Sequence, residues 1–306
     1  MISHDLLLTC RGEWCGVICK NNLNTVEETA WELMEDGYDL HIHSLPSVFP
    51  RSLDCFELVR EASEAKMAGV VLKSHYESTA FRAALVNAYS NCSTKAYGAI
   101  ALNWPVGGLN VYAVENALKA GAKIVWMPTR DAANSLMFGN MDGDFFNRPG
   151  ISILTSKGTL KESVYDIMDV VKKYNRVLAT GHISPNESVI LCKEGRKRGV
   201  RMILTHPEFP RTTIDAEIQK EMADLGVLIE KNWYNVAQKA VTIEQMAANI
   251  RAVGVKRAFL STDRGQKGLP HPTIELHNFV AALLKQGFSE TEIRSLVRDV
   301  PKSIIE

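Results

Sequence analysis

The chain has 306 residues, 46% of them apolar and 8% aromatic, which is enough to bury a large core without help from disulfides or oligomerisation. Lys plus Arg and Asp plus Glu number 35 each, so no global field draws the protein to nucleic acid or to an anionic membrane, and a small-molecule substrate is the expected partner. No run of about 18 or more consecutive apolar residues is present, which excludes a membrane-spanning helix.

Residues 1–24 form an N-terminal extension without an assignable role. Its apolar patch is interrupted by Asp5, Arg11 and Glu13 and lacks the order of a signal peptide. Cys10, Cys15, Cys19, Cys55, Cys92 and Cys192 show no CxxC pairing, so reduced thiols in a soluble, cytoplasmic protein are expected. The first three thiols lack a fourth ligand at the spacing of a closed zinc site. Thr25 followed by Glu28 is a capping-box pattern and opens the first helix. Short apolar runs then occupy residues 38–42, 69–72, 97–102, 123–127, 176–179, 201–204, 227–229 and 256–260, separated by segments of helical period. Gly69, Gly121, Gly199 and Gly226 read as the left-handed residues that end helices. Eight strand-helix repeats predict an α/β fold, a (β/α)8 TIM barrel, as a single domain over residues 1–306. An open doubly wound sheet is the runner-up, but neither GxGxxG nor GxxxxGK[ST] follows the first strand. Residues 129–150, after strand four, are too long for an ordinary connection and read as an active-site loop insertion able to act as a lid. A homo-oligomer is left open.

Strands buried on both faces should carry apolar side chains, so ionisable residues at their carboxyl ends need something to bind. Strand one ends in Asp39-Leu40-His41-Ile42-His43, and alternation sends both imidazoles to one face. Strand five runs into His182, strand six into His206 and strand eight into Asp263. Any one buried His is an ordinary core residue, but four of them with one Asp at equivalent strand ends supply the nitrogen and oxygen donors preferred by a zinc-type divalent metal. Zinc is the expected ion, with manganese or iron as alternatives, in one or two copies.

DLHIH, the His of ATGHIS, the His of LTHPE and the Asp of STD resemble the metal-ligand pattern of the amidohydrolase superfamily, over residues 37–264. The resemblance implies a metal-dependent hydrolase of the TIM-barrel kind. His41, His43 and His182 would hold a metal, His206 would hold a second metal or touch the substrate, and Asp263 would ligate the first metal and accept the proton of its water. Many members bridge two metals with a Lys or Glu at the end of strand four, where this chain has Val125-Trp126-Met127-Pro128. Lys73, at the end of strand two, offers a substitute as a carboxylated bridge, a substrate-binding cation or a catalytic group, with His75 at the same-face spacing. That His is also similar to one in polymerase-and-histidinol-phosphatase phosphoesterases, although the Asp-x-His that ends their pattern is absent after Asp263.

Asn103, Arg130, Arg211, Glu230, Asn232 and Arg264 stand at other strand mouths. Singly they read as solvated loop residues, while grouped arginines around a metal suit a carboxylate or phosphate. His4, His271 and His277 read as structural or surface residues. The expected chemistry is cleavage of an amide, lactone or other ester, because a divalent ion lowers the pKa of bound water from about 15.7 to about 7. Its rivals are phosphoester hydrolysis, metal-dependent decarboxylation or hydration, and a non-catalytic binding barrel.

Overall fold

The computed structural model describes residues 25–139 and 147–306. In chain order the elements are α1 (Val26–Met34), β1 (Tyr38–His43), α2 (Cys55–Glu64), β2 (Gly69–Lys73), α3 (Ala80–Tyr89), β3 (Lys95–Tyr97), β4 (Ala99–Ala101), α4 (Val111–Lys119), β5 (Ile124–Trp126), α5 (Ala133–Phe138) and α6 (Glu162–Lys173). They continue as β6 (Val177–Ala179), α7 (Pro185–Lys197), β7 (Arg201–Leu204), α8 (Ala216–Asp224), β8 (Leu228–Asn232), α9 (Trp233–Ala237), α10 (Ile243–Val253), β9 (Ala258–Ser261), α11 (Pro272–Lys285), α12 (Glu290–Arg294) and α13 (Val300–Ile305). The Thr25/Glu28 capping box is formed as the sequence predicts, and Asp54 with Glu57 makes a second one on α2.

Consecutive strands pair in parallel except β3 and β4, giving two sheets ordered β1-β2-β3 and β4 through β9. This is the strand-helix alternation of a (β/α)8 barrel, with two seams. At one seam the predicted third strand is divided at Gly98, where a Cβ would lie 2.3 Å from Ala80 Cα at the start of α3. Thr79 bridges that gap: its hydroxyl donates to Leu72 O at 2.6 Å and accepts from Ala99 N at 2.9 Å. At the other seam Asp263 N donates to His41 O at 2.9 Å and His43 N to Arg264 O at 2.8 Å, joining the end of β9 to β1.

One apolar cluster fills the space inside the strands, with Leu40, Val71, Ile124, Trp126, Val177 and Phe259, and it is closed at the amino ends of the strands by Val300, Ile304 and Ile305 of α13. The larger cluster lies between strands and helices. Gly121, Gly199 and Gly226 have the positive φ expected of them, whereas Gly69 does not. The left-handed residue after α2 is Lys66, with φ 56°. Gly69 instead starts β2, where a Cβ would press to 2.6 Å from the Tyr97 ring. Among the described residues no helix is long and apolar enough to cross a membrane. Cys55, Cys92 and Cys192 are free thiols, while Cys10, Cys15, Cys19 and His4 lie outside the described residues.

Candidate metal centre

The carboxyl ends of β1, β2, β6, β7 and β9 converge on a buried polar cluster. In β1 the register shifts between Asp39 and Ile42. Tyr38 and Leu40 belong to the inner core, yet the His41 ring also lies 5.5 Å from inner Trp126. Strict alternation would send Leu40 and His41 to opposite faces, so the irregularity lets both halves of the strand face inward. Asp39 holds it in place, accepting from His41 N at 3.1 Å and from the Thr262 hydroxyl at 2.6 Å.

His41 Nδ1 is 2.7 Å from Glu230 Oε1, which also accepts from Ser261 Oγ at 2.9 Å. This bond assigns the proton to Nδ1 and turns the Nε2 lone pair toward the cluster. Nε2 of His41 and Nε2 of His43 both lie 3.1 Å from Asp263 Oδ1. Ligand atoms of these three residues lie within 4.8 Å of one another, a group able to hold a metal ion. His182 and His206 extend the cluster. Successive ring centroids from His41 to His43, His75, His182, His206 and back to His41 are 5.6, 4.8, 6.1, 5.0 and 5.9 Å apart, a closed circuit of five buried imidazoles.

Asp263 and His206 reach these places with left-handed backbones, φ 52° and 28°. Such conformations are costly for residues with side chains and concentrate at functional sites. The next turn depends on Gly265, at φ 116°, where a Cβ would collide with His43 O. Gly265→Ala is therefore expected to cost about 1–3 kcal/mol and to lower metal content by pushing Asp263 off His43. A thermal melt and metal analysis on the same sample check this.

Lys73 Nζ is 2.6 Å from His41 Nε2 and 5.0 Å from the Trp126 ring. Burial depresses its pKa to about 8 against the pull of Asp263 and Glu230. Trp126 fills the end of the strand where the resemblance would put a bridging ligand. Burial likewise pushes His43, His75 and His182 well below the usual imidazole range, and His206 down to about 4. Burial works the same way on His41, but Asp263 and Glu230 outweigh it and hold that imidazole at about 8. Asp263 is opposed by burial and rescued by His41 and His43, which keep its carboxyl well below the ordinary value. Of the imidazoles offered to a cation, His41 alone then competes with a proton near neutrality. As pH falls below about 8, zinc affinity is expected to weaken about tenfold per unit, as competition with a chromophoric chelator would measure.

The donor set fits a cation on a second count. Among the described residues His206 Nε2 and His182 Nδ1 are buried without a hydrogen-bond partner, which costs about 1–3 kcal/mol each unless something binds them.

The remaining predicted residues divide. His75 Nδ1 meets Thr129 Oγ1 at 2.9 Å. The Asn103 amide is fully engaged: Nδ2 donates to His75 O and Thr129 Oγ1, and Oδ1 accepts from Thr129 N and Asp131 N, so it clamps two loops and leaves nothing for a substrate. Arg264 is buried against the helical layer, with Nη2 3.6 Å from Glu275 Oε1 on α11. Glu230 and Asn232 do not follow their strand as predicted but lie within β8, and Asn232 donates to Ser261 Oγ at 2.9 Å. Arg130 and Arg211 stand at the mouth. The expected lid falls partly on residues 140–146, outside the described residues; its described helix, α5, is tied by Asn134 Nδ2 to the carbonyls of His182 and Arg211. His271 and His277 lie elsewhere, bonded to Glu61 Oε1 and Glu27 O. A hollow of about 690 Å³ beside His271 sits in the outer helical layer and shares no residue with the imidazole circuit. Sequence reasoning missed Arg51, Phe49, Phe209 and Tyr234, which surround the mouth through loop contacts that have no local pattern.

Several solved structures share this fold. An amidohydrolase from Pseudomonas aeruginosa aligns over 90% of this chain and 98% of its own, with TM-score 0.62 and 14% identity. The probable dipeptidase PvdM from the same organism covers 92% and 97%, with TM-score 0.62 and 11% identity. An organophosphorus hydrolase from Deinococcus radiodurans covers 90% and 94%, with TM-score 0.57 and 12% identity. At these identities the likeness speaks for the barrel alone. No curated protein matches the sequence. One family model spans residues 36–230, from the turn before β1 through Glu230, and by that match the chain belongs to the family of unknown function DUF6282.

Proposed function

We propose that the protein is a metal-dependent hydrolase of the amidohydrolase type, cleaving an amide, lactone or other ester bond of a small molecule. The observation that carries this reading is the pair of 3.1 Å approaches of His41 Nε2 and His43 Nε2 to Asp263 Oδ1, buried at the carboxyl ends of the strands. A bound divalent cation supplies an acidified water and polarises the substrate oxygen it touches.

The chain's own residues do the rest. His41, His43, His182 and Asp263 hold one cation, and Glu230 keeps His41 in the tautomer that presents Nε2. Asp263, held ionised at neutral pH, takes the proton as the nucleophile attacks and passes it to the leaving group. His206, whose Nε2 has no hydrogen-bond partner among the described residues, contacts the substrate. Lys73 serves as a buried cation beside the reacting atoms, where charge that develops on oxygen is stabilised in a low-dielectric setting.

Metal analysis of the purified protein, followed by assay on a panel of lactones, esters, amides and p-nitrophenyl phosphate, tests the reading. Stoichiometric zinc, manganese or iron with carbonyl-ester or amide cleavage is the expected result. Protein that takes up no metal on reconstitution would make the barrel a binding protein instead.

A further inference from the structure

Two phenyl rings flank the imidazole circuit, one with two arginines over it and the other with one. The Phe49 ring lies 6.0 Å from His75, with the Arg130 guanidinium 4.0 Å and the Arg51 guanidinium 5.6 Å from its centroid. The Phe209 ring lies 5.0 Å from His206 and 5.7 Å from His182, with the Arg211 guanidinium 5.0 Å from its centroid. The backbone of Arg51 is fixed beside the Asp263 loop, bridged to Gln266, with Ser52 N donating to Gly265 O at 2.9 Å.

Arg51 and Arg130 share the Phe49 ring. Burial lowers the Arg51 pKa to about 10, Asp263 opposes that fall and Arg130 adds to it. Arg211 is lowered first by burial and then by Arg130. Among the described residues neither Arg51 nor Arg211 makes an ion pair. Arg211 donates to the carbonyls of Ser135 and Gly139, at 3.3 and 3.4 Å, and among the described residues the Nε atoms of Arg51 and Arg211 are buried without a partner. Aromatic faces hold the guanidinium planes of Arg51 and Arg211 in place, and the Nε–H of each has no partner among the described residues. Like charges gathered at a mouth favour an anion there, and guanidinium donors match the geometry of carboxylate and phosphoryl oxygens.

We propose that Arg51, Arg130 and Arg211, seated on Phe49 and Phe209 beside the histidines, form a subsite for the anionic oxygens of a substrate. The grouping differs from the one the sequence suggests: Arg264 is engaged with Glu275, and Arg51 takes its place. The inference deepens the hydrolase reading, since it makes the substrate an acid that carries its scissile bond near a carboxylate or phosphoryl group, but anion binding can be measured without turnover.

Isothermal titration of the metal-loaded protein with malonate and with inorganic phosphate tests it. At least one anion is expected to bind, and Arg51→Gln and Arg211→Gln are each expected to weaken that binding by about 10- to 100-fold at unchanged metal content, with Arg51→Lys recovering part of the loss. Tighter malonate binding assigns a carboxylate, tighter phosphate binding a phosphoryl group. Equal affinity in wild type and both Gln variants, or no binding of either anion by wild type, overturns the subsite. Arginine-dependent binding in a protein that cleaves nothing on the ester and amide panel would retain the subsite and reject the hydrolase.

Discussion

Asp263→Asn is expected to lower kcat/KM on the cleaved bond by about a hundred- to ten-thousand-fold, the range that a positioned proton acceptor contributes, while Tm falls by only a few degrees. The side chain keeps its size, and the backbone bond from residue 263 to His41 O survives. What is lost is a carboxylate whose folded pKa lies well below the ordinary value because His41 and His43 face it. A depressed carboxyl pKa contributes stability that is present above the unfolded value and lost as pH falls through the folded one. The variant forfeits that contribution at neutral pH, but it also removes the buried charge that needed compensation, so the net change is modest. If turnover stays near that of wild type, the proton passes elsewhere and the role given to Asp263 is wrong. The pH profile adds a second readout, because Asn cannot titrate and the acid limb belonging to this carboxyl should vanish.

The barrel and its histidines were readable because they follow period and position. Short apolar runs set the strands, and a His or Asp within or up to three residues beyond five of the eight runs marks their carboxyl ends. The reading fails where tertiary contacts override that rule. The apolar run ends at Ile229, yet Glu230, Lys231 and Asn232 continue β8 and are all at most 1% exposed. Glu230 faces in to His41, and Lys231 faces out to Glu208 and Gln219. Polar alternation carried the strand period there, with each buried charge given a partner on its own side. Arg51 left no such trace, since its place depends on Gly265 and Gln266, more than two hundred positions away in the chain. Asn103 stands at a strand mouth like the ligands, and only its four hydrogen bonds separate a clamp from a substrate contact.

His41→Ala is expected to remove most of the bound metal and essentially all activity, and its cost to folding separates the metal role from a packing role. The imidazole is fully buried, with one nitrogen on Glu230 and the other facing Asp263 and Lys73. Truncation removes a ligand, and it also leaves Glu230 with Ser261 as its hydrogen-bond donor in a buried site. Breaking a buried charge pair from one side costs about 3–5 kcal/mol, so the single variant should melt lower whether or not metal matters. Glu230→Gln, which keeps His41 but weakens its orientation, is expected to lower metal affinity by about 10- to 100-fold. The double variant His41→Ala/Glu230→Gln discriminates. With no stranded carboxylate it should regain much of the lost Tm, yet still bind no more metal than His41→Ala alone. Recovery of metal together with stability would mean that His41 supports the fold around the site and that the cation is held by other residues.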